Sequence, residues 1–288
     1  MENCRSEKCG HIDRSKIAFS IMNCHYARYP LTYFLDSVQR FGFSSIELFG
    51  GMPHFFLDDV DETDVLAVRA AFCLRGLSAV TLTPAQGVYP MSISYSSDKP
   101  RLRTIQLLKK GIRVACILGA ATMLVSPGNG YLTETRDRVW GICRDSLVEL
   151  GECAEKNNVT LLLEPLTPMS SNVINTSVQS ARMIKEVSSR HVRSMMDIGV
   201  MNYMGETVNE YFGNLGDSLA HIHFTDGPGA HLALGDGEFP MRAYAEEIIE
   251  HDYRGLWSFE INDKRYLDDP NSATAQNLRW LRENGFAL

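Results

Sequence analysis

Eight times along this chain an apolar, β-rich run is followed by a longer amphipathic stretch, and no other feature restricts the possible folds so strongly. The strand candidates are residues 16–22, 44–49, 77–83, 121–126, 159–164, 193–198, 218–225 and 255–261. Between them, LTYFLDSVQRFGF, DDVDETDVLAVRAAFCLRG, DRVWGICRDSLVELGECAEKNN and TSVQSARMIKEV carry helical spacing, with Gly or Asn as stop signals at several ends. A last helix, PNSATAQNLRWLRENG, closes the series. The stretch from 16 to 285 divides into eight units of about 34 residues, the length of a strand, a crossover helix and two loops. Strict alternation predicts one parallel sheet, and eight units predict its closure into a single (β/α)8 TIM barrel. An open doubly wound sheet is the competing architecture. The glycine-rich turn that a dinucleotide fold needs after its first strand is replaced here by NCHYARYP.

The length of 288 residues would allow two domains at about 150 each, but one α/β barrel takes about 250. No linker or low-complexity segment interrupts the repeat, so residues 17–288 are expected to form one barrel domain behind a frayed polar tail, residues 1–16. That tail lacks the apolar core of a secretory signal. No apolar stretch reaches the roughly 20 residues of a membrane-spanning helix. Seven cysteines without CxxC spacing predict reduced thiols and a cytoplasmic protein. Cys4, Cys9 and His11 lie close together, but with poor spacing for structural zinc. A formal charge of −7 and the lack of any basic run argue against nucleic acid or an anionic membrane as partner.

Barrel enzymes build their sites from the carboxyl ends of the strands. In this chain strand five ends VTLLLEP with Glu164, strand six RSMMDIG with Asp197, strand seven AHIHFTD with His223 and strand eight LWSFEIN with Glu260. Their spacings of 33, 26 and 37 are each about one unit, so four adjacent strands aim ligand-type side chains at one point. Any one of these carboxylates could merely cap the helix that follows it. Four in succession point instead to one divalent cation, with Mn, Mg or Co suited to the oxygen-rich set and Zn also compatible. Without a cation, three crowded carboxylates would repel one another. Strand alternation places His221 on the same face as His223 but one layer deeper, as a core or supporting residue.

Several segments resemble the xylose-isomerase-like sugar isomerases and epimerases, and within them the ketose 3-epimerases. They are IELFGGMPH (46–54), LLLEPLTP (161–168) followed by Ser171, Asn172 and Val173, MMDI (195–198), HIHFTDGPGAHLALGDGEFP (221–240) and the FE of WSFEIN. The likeness extends over residues 17–285. It implies that Glu164, Asp197, His223 and Glu260 hold the metal and that Glu164 and Glu260 are also the catalytic acid and base. It further implies that His231, His54, Glu47 and Asn172 contribute to substrate binding. Two positions depart from the pattern: Val200 stands where ketohexose 3-epimerases carry a substrate-touching His, and Ser170 where the family often has a Glu.

The chemistry implied is inversion at C3 of a ketose or ketosamine through an enediolate, with a small-molecule sugar as partner and no redox cofactor. A 1,2-aldose–ketose isomerase would use the same residues, as would a ketohexose 3-epimerase of the tagatose or psicose type. A metal-dependent endonuclease would need more His ligands and a basic rim. A non-catalytic sugar-binding module would not require an acid/base pair. Residues 194–241 carry seven acids and no Lys or Arg, which predicts a negative potential beside the sugar and favours an amine-bearing ketosamine such as fructoselysine over a sugar phosphate. Lys264 and Arg265 would meet a carboxylate further out. The glycines at 227, 229, 235 and 237 fit either a phosphate loop or plain tight turns. A homo-oligomer is expected, since closed assemblies are common.

Overall fold

The strands observed are β1 (Ala18–Met22), β2 (Ser45–Gly50), β3 (Ser78–Pro84), β4 (Thr122–Val125), β5 (Thr160–Leu163), β6 (Val192–Asp197), β7 (Leu219–His223) and β8 (Leu256–Phe259). Every limit falls within two residues of the sequence expectation. The computed structural model describes residues 17–87 and 91–288. In it each strand pairs in parallel with the next, and β1 pairs with β8, so the sheet closes in the order predicted. The tail and its Cys4, Cys9 and His11 lie outside the described residues.

The helices are α1 (Leu31–Arg40), α2 (Glu62–Cys73), α3 (Asp98–Leu118), α4 (Arg136–Lys156), α5 (Ser177–Val187), α6 (Ile198–Met204), α7 (Val208–Leu215), α8 (Met241–Glu250) and α9 (Pro270–Glu283). Local chemistry fixes their ends. Capping boxes start α2 (Asp61 with Asp64), α5 (Thr176 with Gln179) and α7 (Thr207 with Glu210), and proline opens α9. Gly119 stops α3 at φ 83°, a conformation that a side chain would oppose. Among the described residues no helix is long and apolar enough to cross a membrane.

Between strands and helices lies the main apolar layer, to which Leu161, Leu163 and Met196 contribute along with Phe34, Leu108, Leu147 and Met183 from the helices. Strands covered on both faces read as continuous apolar runs, as TLLL of β5 does. The barrel's interior becomes polar toward the carboxyl end, where Glu47, His221, His223 and Asp197 are buried. Pairing is irregular at two points there, between Ile46 and Glu47 against β3 and between Ser194 and Met195 against β7. Such bulges re-aim side chains next to functional sites.

Candidate metal centre and active site

One ligand-type atom from each of Glu164, Asp197, His223 and Glu260 lies within 4.8 Å of the others. Glu164 follows β5 directly, its backbone N–H donating to Val125 O at 3.1 Å. Asp197 ends β6 and caps α6: Oδ1 accepts the Val200 N–H at 2.8 Å, while the buried Oδ2 has no hydrogen-bond partner among the described residues. One carboxylate thus serves the helix and the cluster together. His223 ends β7 with Nδ1 2.8 Å from Glu260 Oε2, 3.6 Å from Asp197 Oδ2 and 3.7 Å from Glu164 Oε1. The last two are too long for a hydrogen bond and the first makes none, so Nδ1 has no hydrogen-bond partner among the described residues.

The other face of that ring explains its orientation. His223 Nε2 donates to Glu47 Oε1 at 3.1 Å, and His221 Nε2 donates to Glu47 Oε2 at 2.9 Å. The Thr83 hydroxyl also donates to Glu47. An ionised carboxylate is acceptor-only, so it holds a proton on Nε2 of His223 and turns Nδ1 toward three carboxylates. Acceptors gathered across a few ångströms need a positive centre among them. One imidazole and three carboxylates are a donor set suited to a divalent ion. These residues therefore fit a metal, and His221 sits one layer below them, as strand alternation predicted.

His231 enters from the loop between β7 and α8. That loop folds back through an antiparallel bridge of Asp226 with Leu232 and is tied to the segment after β8 by a second, His231 with Asn262. His231 Nδ1 then lies 3.2 Å from Glu260 Oε2, and Nε2 lies 3.5 Å from Asp197 Oδ2. The loop wraps around the buried Asp226 carboxylate, which accepts the N–H groups of Gly227, Gly235, Gly237 and Phe239. A Cβ at Gly237 would come within 2.3 Å of Asp226 Oδ1, so this turn requires glycine. The loop's glycines therefore serve tight turns, and the N–H groups of Gly227, Gly235 and Gly237 face the chain's own carboxylate.

Burial pushes Glu164 up to about 8, reinforced by the Glu260 and Asp197 carboxylates and opposed by His223. For Glu260 burial acts the same way but is outweighed by His223 and His231, which hold it below the usual carboxylate range. Asp197 is held low by His231 and His223 against its burial. Burial would lower His231, yet Asp197 and Glu260 raise it to about 9. His223 is raised likewise, mainly by Glu47 and Glu260. Protons on the two histidines thus balance the carboxylates when no cation does, and a divalent ion must compete with them.

Glu164, Asp197, His231 and Glu260 line a cavity of ≈ 510 Å³. His54 is on its wall, with Nδ1 accepting from Asn23 Nδ2 at 2.9 Å and Nε2 donating to Tyr29 O at 2.7 Å. Two residues expected to bind substrate are placed otherwise. Glu47 is fully buried beneath His223, its carboxylate taken up by three donors. Asn172 ties the loops after β4 and β5, accepting the Gly130 N–H at 2.9 Å and donating to Gly130 O at 3.0 Å. The wall residues Asn23, Gln86 and Asn262 escaped the sequence reading; each follows a strand end, the one signal that could have marked them.

The charge argument for an amine-bearing sugar needs correction. Of the seven acids in 194–241, Asp197 alone reaches the cavity. Glu206 accepts from Ser177, Glu210 belongs to the capping box of α7, and Asp236 accepts from Tyr266. Arg265 pairs with Asp263, and neither it nor Lys264 lines the cavity. Charges adjacent in sequence were directed by the fold into helix ends and loop ties.

Over residues 35–284 the sequence matches the model of the xylose isomerase-like TIM barrel family. The chain belongs to that family. Fructoselysine 3-epimerase of Shigella flexneri is 30% identical to this xylose isomerase-like chain over 266 residues, 91% of it and 96% of the relative. The 3-dehydro-D-guloside 4-epimerase of Escherichia coli K12 is 25% identical over 256 residues, 85% of this chain and 91% of the relative. Its curated relatives being epimerases, this family member is an isomerase. Among solved structures, the apo 3-keto-D-glucoside 4-epimerase of E. coli superimposes with a TM-score of 0.79 at 22% identity, covering 93% of this chain and 99% of the other, which establishes the common fold.

Proposed function

We propose that this protein inverts C3 of a ketose or ketosamine through an enediolate, converting fructoselysine to psicoselysine. The observation that carries the reading is the pair Glu164 and Glu260. They stand after β5 and β8, three strands apart in a ring of eight, both on the cavity. Inversion requires a base on one face of the carbon and an acid on the other, and two carboxyls carried by well-separated strands meet that need. Glu260 takes the C3 proton. Glu164 returns one from the opposite side, and the reverse reaction exchanges the roles. Glu164, Asp197, His223 and Glu260 would hold a single divalent ion (Mn, Co, Mg or Zn), which when bound would supply positive charge to polarise the ketone. His231 steadies Glu260 beside the sugar, and His54 presents its ring from the wall of the same cavity. The described cysteines are free thiols, which supports a cytoplasmic setting.

Incubation in D₂O with fructoselysine, fructose and tagatose, with Mn²⁺ or Co²⁺ added, tests this. NMR should show inverted product with deuterium at C3, and Glu164→Gln or Glu260→Gln should lower turnover by about 10²–10⁴-fold. Deuterium at C2 of an aldose product, with label at C1 of the recovered ketose, would replace the reading by 1,2-isomerisation, and inversion at C4 would replace it by 4-epimerisation.

A further inference from the structure

We propose that a second cavity beside the first receives an uncharged aliphatic arm attached to the sugar, so that the preferred substrate is a substituted ketose rather than a free one. This rests on the ketose chemistry proposed above. The second cavity has a volume of ≈ 600 Å³ and shares Thr167, Val200, His231 and Asn262 with the first, so the two are contiguous next to the carboxylate cluster. The first cavity, at ≈ 510 Å³, lies within the range of about 300–1,000 Å³ that holds a whole small ligand. A free hexose therefore has no use for the second.

Its lining defines what it can hold. Tyr203, Pro228, Ala230 and Phe239 supply apolar surface, and among the described residues no Lys, Arg, Asp or Glu lines it. Asn202 is already satisfied, accepting from Tyr244 Oη at 2.7 Å and donating to Ile198 O at 2.8 Å. A phosphate would find no Lys or Arg among the described residues there, whereas methylene groups would lie against the apolar surface. Two positions keep the passage open. Val200 lies on both cavities where a longer side chain would narrow the junction. A Cβ at Gly199 would come within 3.1 Å of Asp197 Oδ1 and 3.4 Å of His231 Nε2, intruding between the cavity and the cluster. At the outer end Tyr203 is 62% exposed, so a charged terminus on the arm would reach water.

The test is calorimetric binding of N-methyl, N-butyl and N-hexyl derivatives of 1-amino-1-deoxyfructose to the Mn²⁺-loaded protein, with NMR of the same samples reading inversion at C3. Affinity should rise roughly two- to fourfold per methylene as the chain is buried. Ala230→Phe, which fills the second cavity, should flatten that rise to less than threefold across the series, and Tyr203→Ala, which removes an exposed wall, should weaken it. A flat series, including no binding at all, overturns the inference, as does an undiminished rise in a folded Ala230→Phe protein. A rise in affinity without inversion at C3 supports the second cavity and rejects only the proposed reaction.

Discussion

Replacing Glu47 by glutamine probes how the barrel's interior prepares the cation site. The carboxylate accepts from His223 Nε2 at 3.1 Å, from His221 Nε2 at 2.9 Å and from the Thr83 hydroxyl. An amide has nearly the same shape but only one oxygen for two imidazole N–H groups, and it carries no charge. A hydrogen bond to a charged group contributes about 1.5–3 kcal/mol and a neutral one about 0.5–1.5. The exchange therefore removes about 1–2 kcal/mol of support from a ring that becomes more positive on ligation, which is roughly 5- to 30-fold in cation affinity. Isothermal titration of the cation-free protein with Mn²⁺ at about pH 8 measures this, and thermal melting of the same sample establishes that the barrel is intact. A folded Glu47→Gln protein whose Mn²⁺ affinity stays within twofold of the parent's would refute the view that Glu47 sets the tautomer and basicity of His223.

Asp197→Asn should separate the two duties of that residue. Asparagine caps a helix as well as aspartate does, so the melting temperature should hold while Mn²⁺ affinity drops at least about tenfold; unchanged affinity would remove Oδ2 from the ligand set. His25 offers a test of acid stability remote from the cluster. Burial lowers it from 6.5 to about 3, its Nδ1 is unpartnered, and Nε2 lies 3.4 Å from Thr274 Oγ1. Because the unfolded chain takes up this proton first, the contribution is complete above about pH 6.5 and is lost as pH falls toward 3, at roughly 1 kcal/mol per pH unit. Urea unfolding of His25→Gln should show a shallower decline between those limits, and an identical pH slope would contradict the assignment.

The sequence by itself determined the barrel and the four residues at its mouth. Strand period, helix caps and unit length are local properties, and a parallel strand buried on both faces announces itself as a run such as TLLL. Position at a strand's carboxyl end is equally local, and closure brings those ends together whichever loops follow, so Glu164, Asp197, His223 and Glu260 were legible one at a time. What only the tertiary structure decided is the purpose of polar groups whose partners lie far away in the chain. Glu47 lies 176 positions from the His223 it orients, and nothing in IELFGG foretells that bond. Asn172 looked like a sugar contact but ties one loop to another across 42 positions. The acids of residues 194–241 looked like a field around the substrate, yet the chain folds most of them into caps and loop ties. A second cavity between α6 and the loop after β7 exists only because non-adjacent segments leave space there. Periodicity encodes which face a side chain takes, but a hydrogen bond or a void depends on distances among segments that only complete packing fixes.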